Sequence, residues 1–199
     1  MTAEDDATDS IEGVVVIDKP TGPTSHDVVG KLRRTLRMKR IGHAGTLDPM
    51  ASGVLVMLLG QATKLGPYLT LHDKRYEARV LFGRQTDSLD VQGTVVAEAE
   101  LPDWLVREIT LLAADPATSE ASRVHAALAH ERTRAAQTPP AYSAIKVAGQ
   151  RSYDRARRGE NVVLEDRPVE VKSIDVLGAG FVEEGKLGFL DVSLDVSKG

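Results

Sequence analysis

Asp48 lies in the run Gly42-His43-Ala44-Gly45-Thr46-Leu47-Asp48-Pro49-Met50-Ala51-Ser52-Gly53, with no lysine or arginine within five residues on either side. A lone carboxylate on a loop of small residues can serve as nucleophile or general base. Glycines in such a loop permit positive φ and let a ligand come close to the backbone. Asp-Pro is also an ordinary helix start, with aspartate as N-cap and proline at the first helical position. The spacing alone leaves both readings open.

The flanking elements that would hold this loop read as follows. Gly13 to Asp18 (GVVVID) reads as a buried strand, and Lys19 to Pro23 as a Pro/Gly turn. Thr24 or Ser25 can cap a helix, with Asp27 in its first turn. Val28, Leu32 and Leu36 give that helix one apolar stripe, and Lys31, Arg33, Arg34 and Arg37 fall largely off it, as a cationic face. Val54 to Leu59 fits a central strand or a buried helix segment. From Tyr76 to Phe82 the residues alternate, with Tyr76, Ala78, Val80 and Phe82 on one face. Thr94 to Ala97 reads as a partner strand after a turn at Asp90 to Gly93. Residues 102–134 read as one or two helices with a loose connection near 115–119. Tyr142 to Val147 reads as a strand, Ser152 to Arg158 as a short helix, and Val162 to Leu177 and Leu187 to Val196 as strands. Leu190, Val192, Leu194 and Val196 line one face of the last. Strands adjacent in sequence and interleaved with helices predict an α+β domain around a mixed, largely antiparallel sheet with flanking helices.

Composition narrows the chemistry. The chain of 199 residues has no cysteine, which excludes disulfides, thiolate metal sites and cysteine nucleophiles and fits a reducing cytoplasm. The five histidines (26, 43, 72, 125, 130) form no ligand-spaced cluster, and there is no P-loop or G-x-G-x-x-G, so neither cofactor nor metal is expected. The longest apolar run, Val54 to Leu59, is six residues, too short for a membrane span. The formal net charge is −4, but five of the 29 acids fall in residues 1–12, which carry no base and read as a disordered tail rather than a signal peptide. The rest holds 24 acids against 25 bases. Six bases and no acid lie between Lys31 and Arg40, and Arg151, Arg155, Arg157 and Arg158 form a second cluster. Phosphate backbones respond to local patches of this kind, although a charge run is also an ordinary solvated helix face.

The Asp48 segment matches every fixed position of G-H-x-G-T-L-D-P-x-A-x-G, the catalytic motif of the tRNA pseudouridine synthase B (TruB) family. Further segments resemble the family in its own order. Asp18 to Ser25 (DKPTGPTS) resembles D-K-P-x-G-x-T-S, and Lys74-Arg75-Tyr76 resembles K-x-Y. Thr86 to Gly93 (TDSLDVQG) resembles T-D-T/S-x-D-x-x-G, and Gln137 to Lys146 and Gly149 to Gly159 resemble RNA-contacting segments. The resemblance runs from about Gly13 to Gly199. It implies the pseudouridine synthase fold and the isomerisation of uridine to pseudouridine at position 55 in the T-loop of tRNA. The N1 glycosidic bond breaks, the uracil turns, and C5 bonds to the ribose. By resemblance Asp48 is the nucleophile, acting at C6 of the base or at C1′ of the ribose. Tyr76 stacks on the target base and helps remove the C5 proton, and His43 occupies space beside the extruded base. Asp90, otherwise a turn residue, contacts RNA. Lys19 and Pro20 support Tyr76 and its loop, and Gly45, Thr46 and Leu47 shape the Asp48 loop. Arg33, Arg37, Lys146, Arg151 and Arg155 are candidates for phosphate contacts.

The expected partner is the T-arm stem-loop of tRNA, bound by a cytoplasmic monomer without membrane, metal or cofactor. Where this sequence stops, at Ser197-Lys198-Gly199, the family continues into T-Y-I-R, whose arginine partners the catalytic aspartate. The expectation is therefore a piece of a longer protein. Residues 13–199 would be the N-terminal part of the catalytic domain, with a thumb-like insertion near 100–137, and the C-terminal RNA-binding domain would be absent. The motif order looks more like the stand-alone bacterial branch than the RNA-guided, dyskerin-like one. A different class of reading is a non-catalytic module that binds and remodels the T-arm. A carboxylate facing a polyanion is unfavourable for a pure binder, so the Asp48 loop favours an enzyme.

Overall fold

Valine and leucine runs make the first sheet. Gly13–Lys19 forms β1, Ile41–His43 forms β2 and Gly53–Leu59 forms β3; the spatial order is β1-β3-β2 with antiparallel pairing throughout. The computed structural model describes residues 11–139, 146–147, 150–151 and 164–197. The chain divides after His72 into two units.

In the first unit, helix α1 (Ser25–Leu36) starts at a capping box. Thr24 Oγ1 accepts from the Asp27 N–H at 3.0 Å, and Asp27 Oδ2 accepts from the Thr24 N–H at 2.9 Å. These bonds, with the Thr24 hydroxyl donating to the same carboxylate, hold the Asp27 carboxyl below its ordinary pKa. The α1 stripe of Val28, Leu32 and Leu36 packs on a core of Val29, Met38, Ile41, Leu55, Met57 and Leu59. The Val54 to Leu59 run is thus the central strand. The expectation of a buried first strand holds for strand but not for burial: Val14, Val15 and Val16 are exposed. β1 is an edge strand, and of its side chains only Ile17 reaches this core. A 3₁₀ turn (Gly60–Leu65) and the short helix α2 (Gly66–Leu69) follow β3.

The second unit starts with β4 (Lys74–Phe82) and the hairpin β5 (Arg84–Thr86) and β6 (Val95–Glu98). Helices α3 (Asp103–Ala114) and α4 (Ser122–Glu131) come next, as the pattern over 102–134 predicts. Two-residue strands follow: β7 (Ala136–Gln137), β8 (Lys146–Val147), β9 (Gln150–Arg151) and β10 (Arg167–Pro168). The long antiparallel pair β11 (Val171–Val182) and β12 (Leu187–Val196) closes the unit, and β4 adds to it in the order β11-β12-β4. Leu190 and Val192 of β12 join Leu105, Ile109, Leu112, Ala121 and Val124 in one core beneath the helices, and Leu194 packs at its margin. Glu108, buried on α3, accepts from the backbone N–H groups of Arg123 and Val124 at 3.2 and 2.8 Å. It caps α4, whose own N-cap residue, Ala121, has no side chain able to do so.

The strand expected over Val162 to Leu177 is corrected. Within its described part, β10 pairs with β7, and β11 begins only at Val171 and runs past Leu177 to Val182. The Val169 N–H donates to the Ala135 carbonyl at 3.1 Å, so the chain stays bonded alongside β7 past Pro168 before it joins β12. The extension crosses Gly180, opposite Phe189, where a Cβ would stand 2.8 Å from the Phe189 ring; glycine is what lets the ring lie across the strand. The Arg79 guanidinium stacks on that ring, 3.9 Å from its centroid. Of the strand expected over Tyr142 to Val147 only Lys146–Val147 is described, and the helix expected over Ser152 to Arg158 lies outside the described residues, as do residues 1–10 of the acidic tail. All described strand pairs are antiparallel, and the α+β class with flanking helices stands.

Candidate active site

Asp48-Pro49 opens a β-turn, not a helix. The Ala51 N–H donates to the Asp48 carbonyl at 3.1 Å, with Pro49 in the second position that its fixed φ suits. The turn is held from both sides by one short segment. Before Asp48, the buried Ser25 hydroxyl bridges Leu47: its oxygen accepts from the Leu47 N–H at 2.9 Å, and its proton goes to the Leu47 carbonyl at 3.0 Å. After it, the Gly22 N–H donates to the Pro49 carbonyl at 2.7 Å. The Leu47 side chain packs on the first unit's core.

The segment that holds the turn is itself tied down. Lys19 is fully buried, and its ammonium donates to the carbonyls of Pro20 at 3.0 Å and Pro23 at 2.9 Å. It makes no ion pair among the described residues. A buried ammonium needs such acceptors; here they fix the turn between β1 and α1. Pro20 is exposed.

Asp48 and Thr46 are exposed, and the Asp48 carboxylate makes no hydrogen bond or ion pair among the described residues. Gly45 has φ +115° and Gly53 φ +120°, a region that L side chains rarely adopt. Half-buried His43 ends β2 and turns its Nδ1 to the Gly45 carbonyl at 2.5 Å. A carbonyl only accepts, so Nδ1 carries the proton and a neutral ring keeps Nε2 as an acceptor. The arrangement presents one free carboxylate on a fixed backbone, in a loop whose Gly45 carbonyl accepts from the His43 ring.

Tyr76 and Asp90 belong to the second unit. Tyr76 stands on β4 opposite Leu194, on the sheet face of Leu190 and Val192, yet it remains 39% exposed because the helices lie over β11 and β12. It is not a core aromatic. Asp90 Oδ1 accepts from the Ser88 hydroxyl at 2.7 Å and the Gln92 N–H at 2.9 Å, which shapes the β5–β6 turn. Asp87 Oδ1 accepts from the Thr94 N–H at 2.8 Å in the same turn.

The basic run shows the cationic face expected of it: Lys31, Arg33, Arg34, Arg37, Lys39 and Arg40 are all exposed. Two of them also have structural partners. Arg33 donates to the Ile41 carbonyl at 2.9 Å, and Arg40 to the Thr63 hydroxyl at 3.1 Å. Arg37 is the left-handed C-cap of α1, and its guanidinium has no partner among the described residues. Lys146 and Arg151 pair in register across β8 and β9, and Arg155 lies outside the described residues. Among the described residues, no three His, Asp or Glu side chains gather as a metal site, and no helix is long and apolar enough to cross a membrane.

In the sequence, Ser25 and Gly22 are legible only as a cap and a turn glycine. The available signal is the Thr-Ser pair at the helix start. One hydroxyl suffices to cap, and with Thr24 doing so, the Ser25 hydroxyl is released for the neighbouring loop.

A family model described as "TruB family pseudouridylate synthase (N terminal domain)" matches residues 33–199. Proteins called tRNA pseudouridine synthase B are similar along most of the chain. The one from Opitutus terrae is 45% identical over 83% of this chain and 63% of its own length. The one from Thermobifida fusca is 43% identical over 94% and 58%, and the one from Corynebacterium jeikeium 44% over 84% and 51%. The chain thus spans between half and two thirds of the length of these relatives. Among solved structures, a Cbf5-Nop10-Gar1 complex matches with TM-score 0.51 at 23% identity, covering 96% of this chain and 41% of that one. An H/ACA RNP bound to a substrate RNA containing 2′-deoxyuridine matches with TM-score 0.52 at 21% identity, covering 98% and 40%. These structural likenesses concern the fold. The family model and the sequence relatives together establish that this chain belongs to the TruB family of pseudouridylate synthases.

Proposed function

We propose that the protein isomerises uridine to pseudouridine at position 55 in the T-loop of tRNA, with Asp48 as nucleophile. The observation that carries this reading is the Asp48 carboxylate itself: exposed, unpartnered among the described residues, and set between two residues, Leu47 and Pro49, whose backbone is held. A structural aspartate in a turn ordinarily accepts hydrogen bonds from its own backbone, as Asp87 and Asp90 do here. The reaction conserves all atoms of the nucleoside: N1–C1′ breaks, C5–C1′ forms, the C5 proton leaves, and N1 gains one. It transfers no electrons and therefore calls for no redox group. The target base must leave its stack to meet Asp48. Tyr76 offers a π face for that base and a hydroxyl for the C5 proton, His43 a planar ring beside it, and Asp90 a carboxylate oxygen, Oδ2, outside the turn's own bonds. The exposed bases of α1, Arg33 and Arg37 foremost, with Lys146, Arg151 and Arg155, supply phosphate contacts to the T-arm stem-loop. In this reading residues 13–199 are the N-terminal part of the catalytic domain, residues 100–137 its thumb-like insertion, and the protein works as a cytoplasmic monomer.

Release of tritium from a T-arm hairpin carrying 5-tritiated uridine tests the reading. The protein releases tritium and its Asp48→Asn form does not, while both bind the hairpin. Equal release by the two removes Asp48 from the chemistry. Binding without release by either leaves the second reading, a T-arm binding module, which the lack of a cationic partner for Asp48 among the described residues favours.

A further inference from the structure

We infer that Ser25 is a positioning residue for Asp48, and that the hydroxyl bridge from the first turn of α1 to Leu47 sets the place of the nucleophile. The inference rests on the proposed role of Asp48. Ser25 is 2% exposed and 22 residues away in sequence, so its contact with Leu47 is a tertiary one in a dry place. Its single hydroxyl satisfies both the N–H and the C=O of one residue, at 2.9 and 3.0 Å. Two bonds to one residue constrain both of its backbone dihedrals. Residue 47 is the one whose carbonyl carbon joins the Asp48 nitrogen, so its dihedrals aim the Asp48 Cα–Cβ direction. The Gly22 N–H on the Pro49 carbonyl fixes the far side.

The same short segment therefore holds both residues that flank Asp48, Leu47 and Pro49, and Asp48 is exposed between them. Asp48 has no side-chain partner of its own among the described residues, so its aim comes from the backbone. The bridge is also not a by-product of capping, because Thr24 caps the helix and the Ser25 hydroxyl contributes nothing to that cap. Reaction rates depend steeply on such placement, since a misplacement of about 1 Å can cost on the order of 100-fold.

The test uses five forms of the protein: wild type, Ser25→Ala, Ser25→Thr, Ser25→Cys and, as reference, Asp48→Asn. Single-turnover tritium release is measured at saturating hairpin, hairpin affinity by filter binding, and amide hydrogen exchange at Leu47 by NMR. In Ser25→Ala the release rate falls about 10- to 100-fold, affinity stays within about twofold, and the Leu47 amide loses protection. Ser25→Thr keeps the bridging oxygen and recovers most of the rate. Should Ser25→Ala fail to fold, Ser25→Cys, close in size and a weak donor, takes its place, and its rate falls below that of serine. A full rate in the alanine form, or in the cysteine form where alanine does not fold, overturns the inference. So does a fall in affinity that accounts for the whole loss. A Leu47 amide equally exchangeable with and without the serine hydroxyl overturns it as well. Failure of the underlying reading looks different: Asp48→Asn then matches wild type, or wild type releases nothing, and the Leu47 exchange alone still decides whether the bridge exists.

Discussion

The two three-stranded sheets described in this protein are fixed by opposite means. In the first unit, apolar strands, the buried Lys19 and Ser25 and the backbone of Gly22 hold one loop. In the second, exposed bidentate pairs run along the sheet, Arg75 with Asp195 and Arg79 with Asp191, and on the neighbouring hairpin Arg84 makes a bidentate pair with Glu183 and a single bond to Glu98. Lys172 pairs with Asp73. Buried hydrogen bonds to backbone have no water to replace them, so they set geometry narrowly. Exposed ion pairs compete with water and salt, so they define strand register while contributing little to stability. The comparison puts precision where the free carboxylate is, and tolerance where the sheet only has to persist.

Substitutions can break this contrast. Asp48→Asn should have the largest effect, lowering turnover on the order of 10⁴-fold or more with hairpin affinity kept; the tritium assay measures the first and filter binding the second. Glu108→Ala should come next. It strips the buried cap from the N–H groups of Arg123 and Val124 and should lower the stability of the second unit by about 2 kcal/mol, read as an earlier urea midpoint. Arg37→Glu touches neither core. It should weaken hairpin binding several-fold and reduce the slope of log K against log salt by about one, with turnover of bound RNA unchanged.

Asp195→Asn should do least, with a small shift of the urea midpoint at low salt that vanishes at high salt. Its pH behaviour sharpens the point. The guanidinium of Arg75 holds the Asp195 carboxyl below its ordinary value, as Arg79 does for Asp191 and Arg84 for Glu183. The unfolded chain then takes up these protons first. Stability from the pairs is present above the ordinary carboxylate pKa of about 4 and is lost as pH falls through the lower folded values. Urea midpoints measured from pH 6 down to pH 2 should decline in that acid range, and less steeply in Asp195→Asn.

Much of this is legible in residue order. The α1 stripe, its cap at Thr24, the two helices of 103–131 and the inward face of β12 follow from periodicity and capping chemistry. The Asp48 motif and the family likeness locate the loop. What does not follow has physical reasons. A valine run reads as buried, but burial belongs to the neighbours a strand acquires, and β1 takes an edge. Asp-Pro reads equally as helix start or turn, and only the Ala51 bond to Asp48 decides. The Ser25 bridge is tertiary, so no local pattern carries it. β11 starts later than its apolar pattern suggests because residues 167–169 bond alongside β7 before the chain joins β12. It also runs further, because Gly180, past the expected end at Leu177, makes room for the Phe189 ring.

The β4–β12 pairing also carries a consequence for synthesis on the ribosome. Arg75 and Asp195 are 120 residues apart in sequence, whereas Ser25 and Leu47 are separated by 22. At about 5–20 residues per second, the ribosome delivers the partner strand of β4 roughly 6 to 24 seconds after β4 itself, while every described strand of the first sheet is complete by Leu59. During that interval β4 is an open edge in a crowded cell. Its alternating charges, Arg75, Glu77 and Arg79, are the kind that discourage another chain from pairing there. The pairs that add little to the finished sheet are thus made from residues that guard the nascent one.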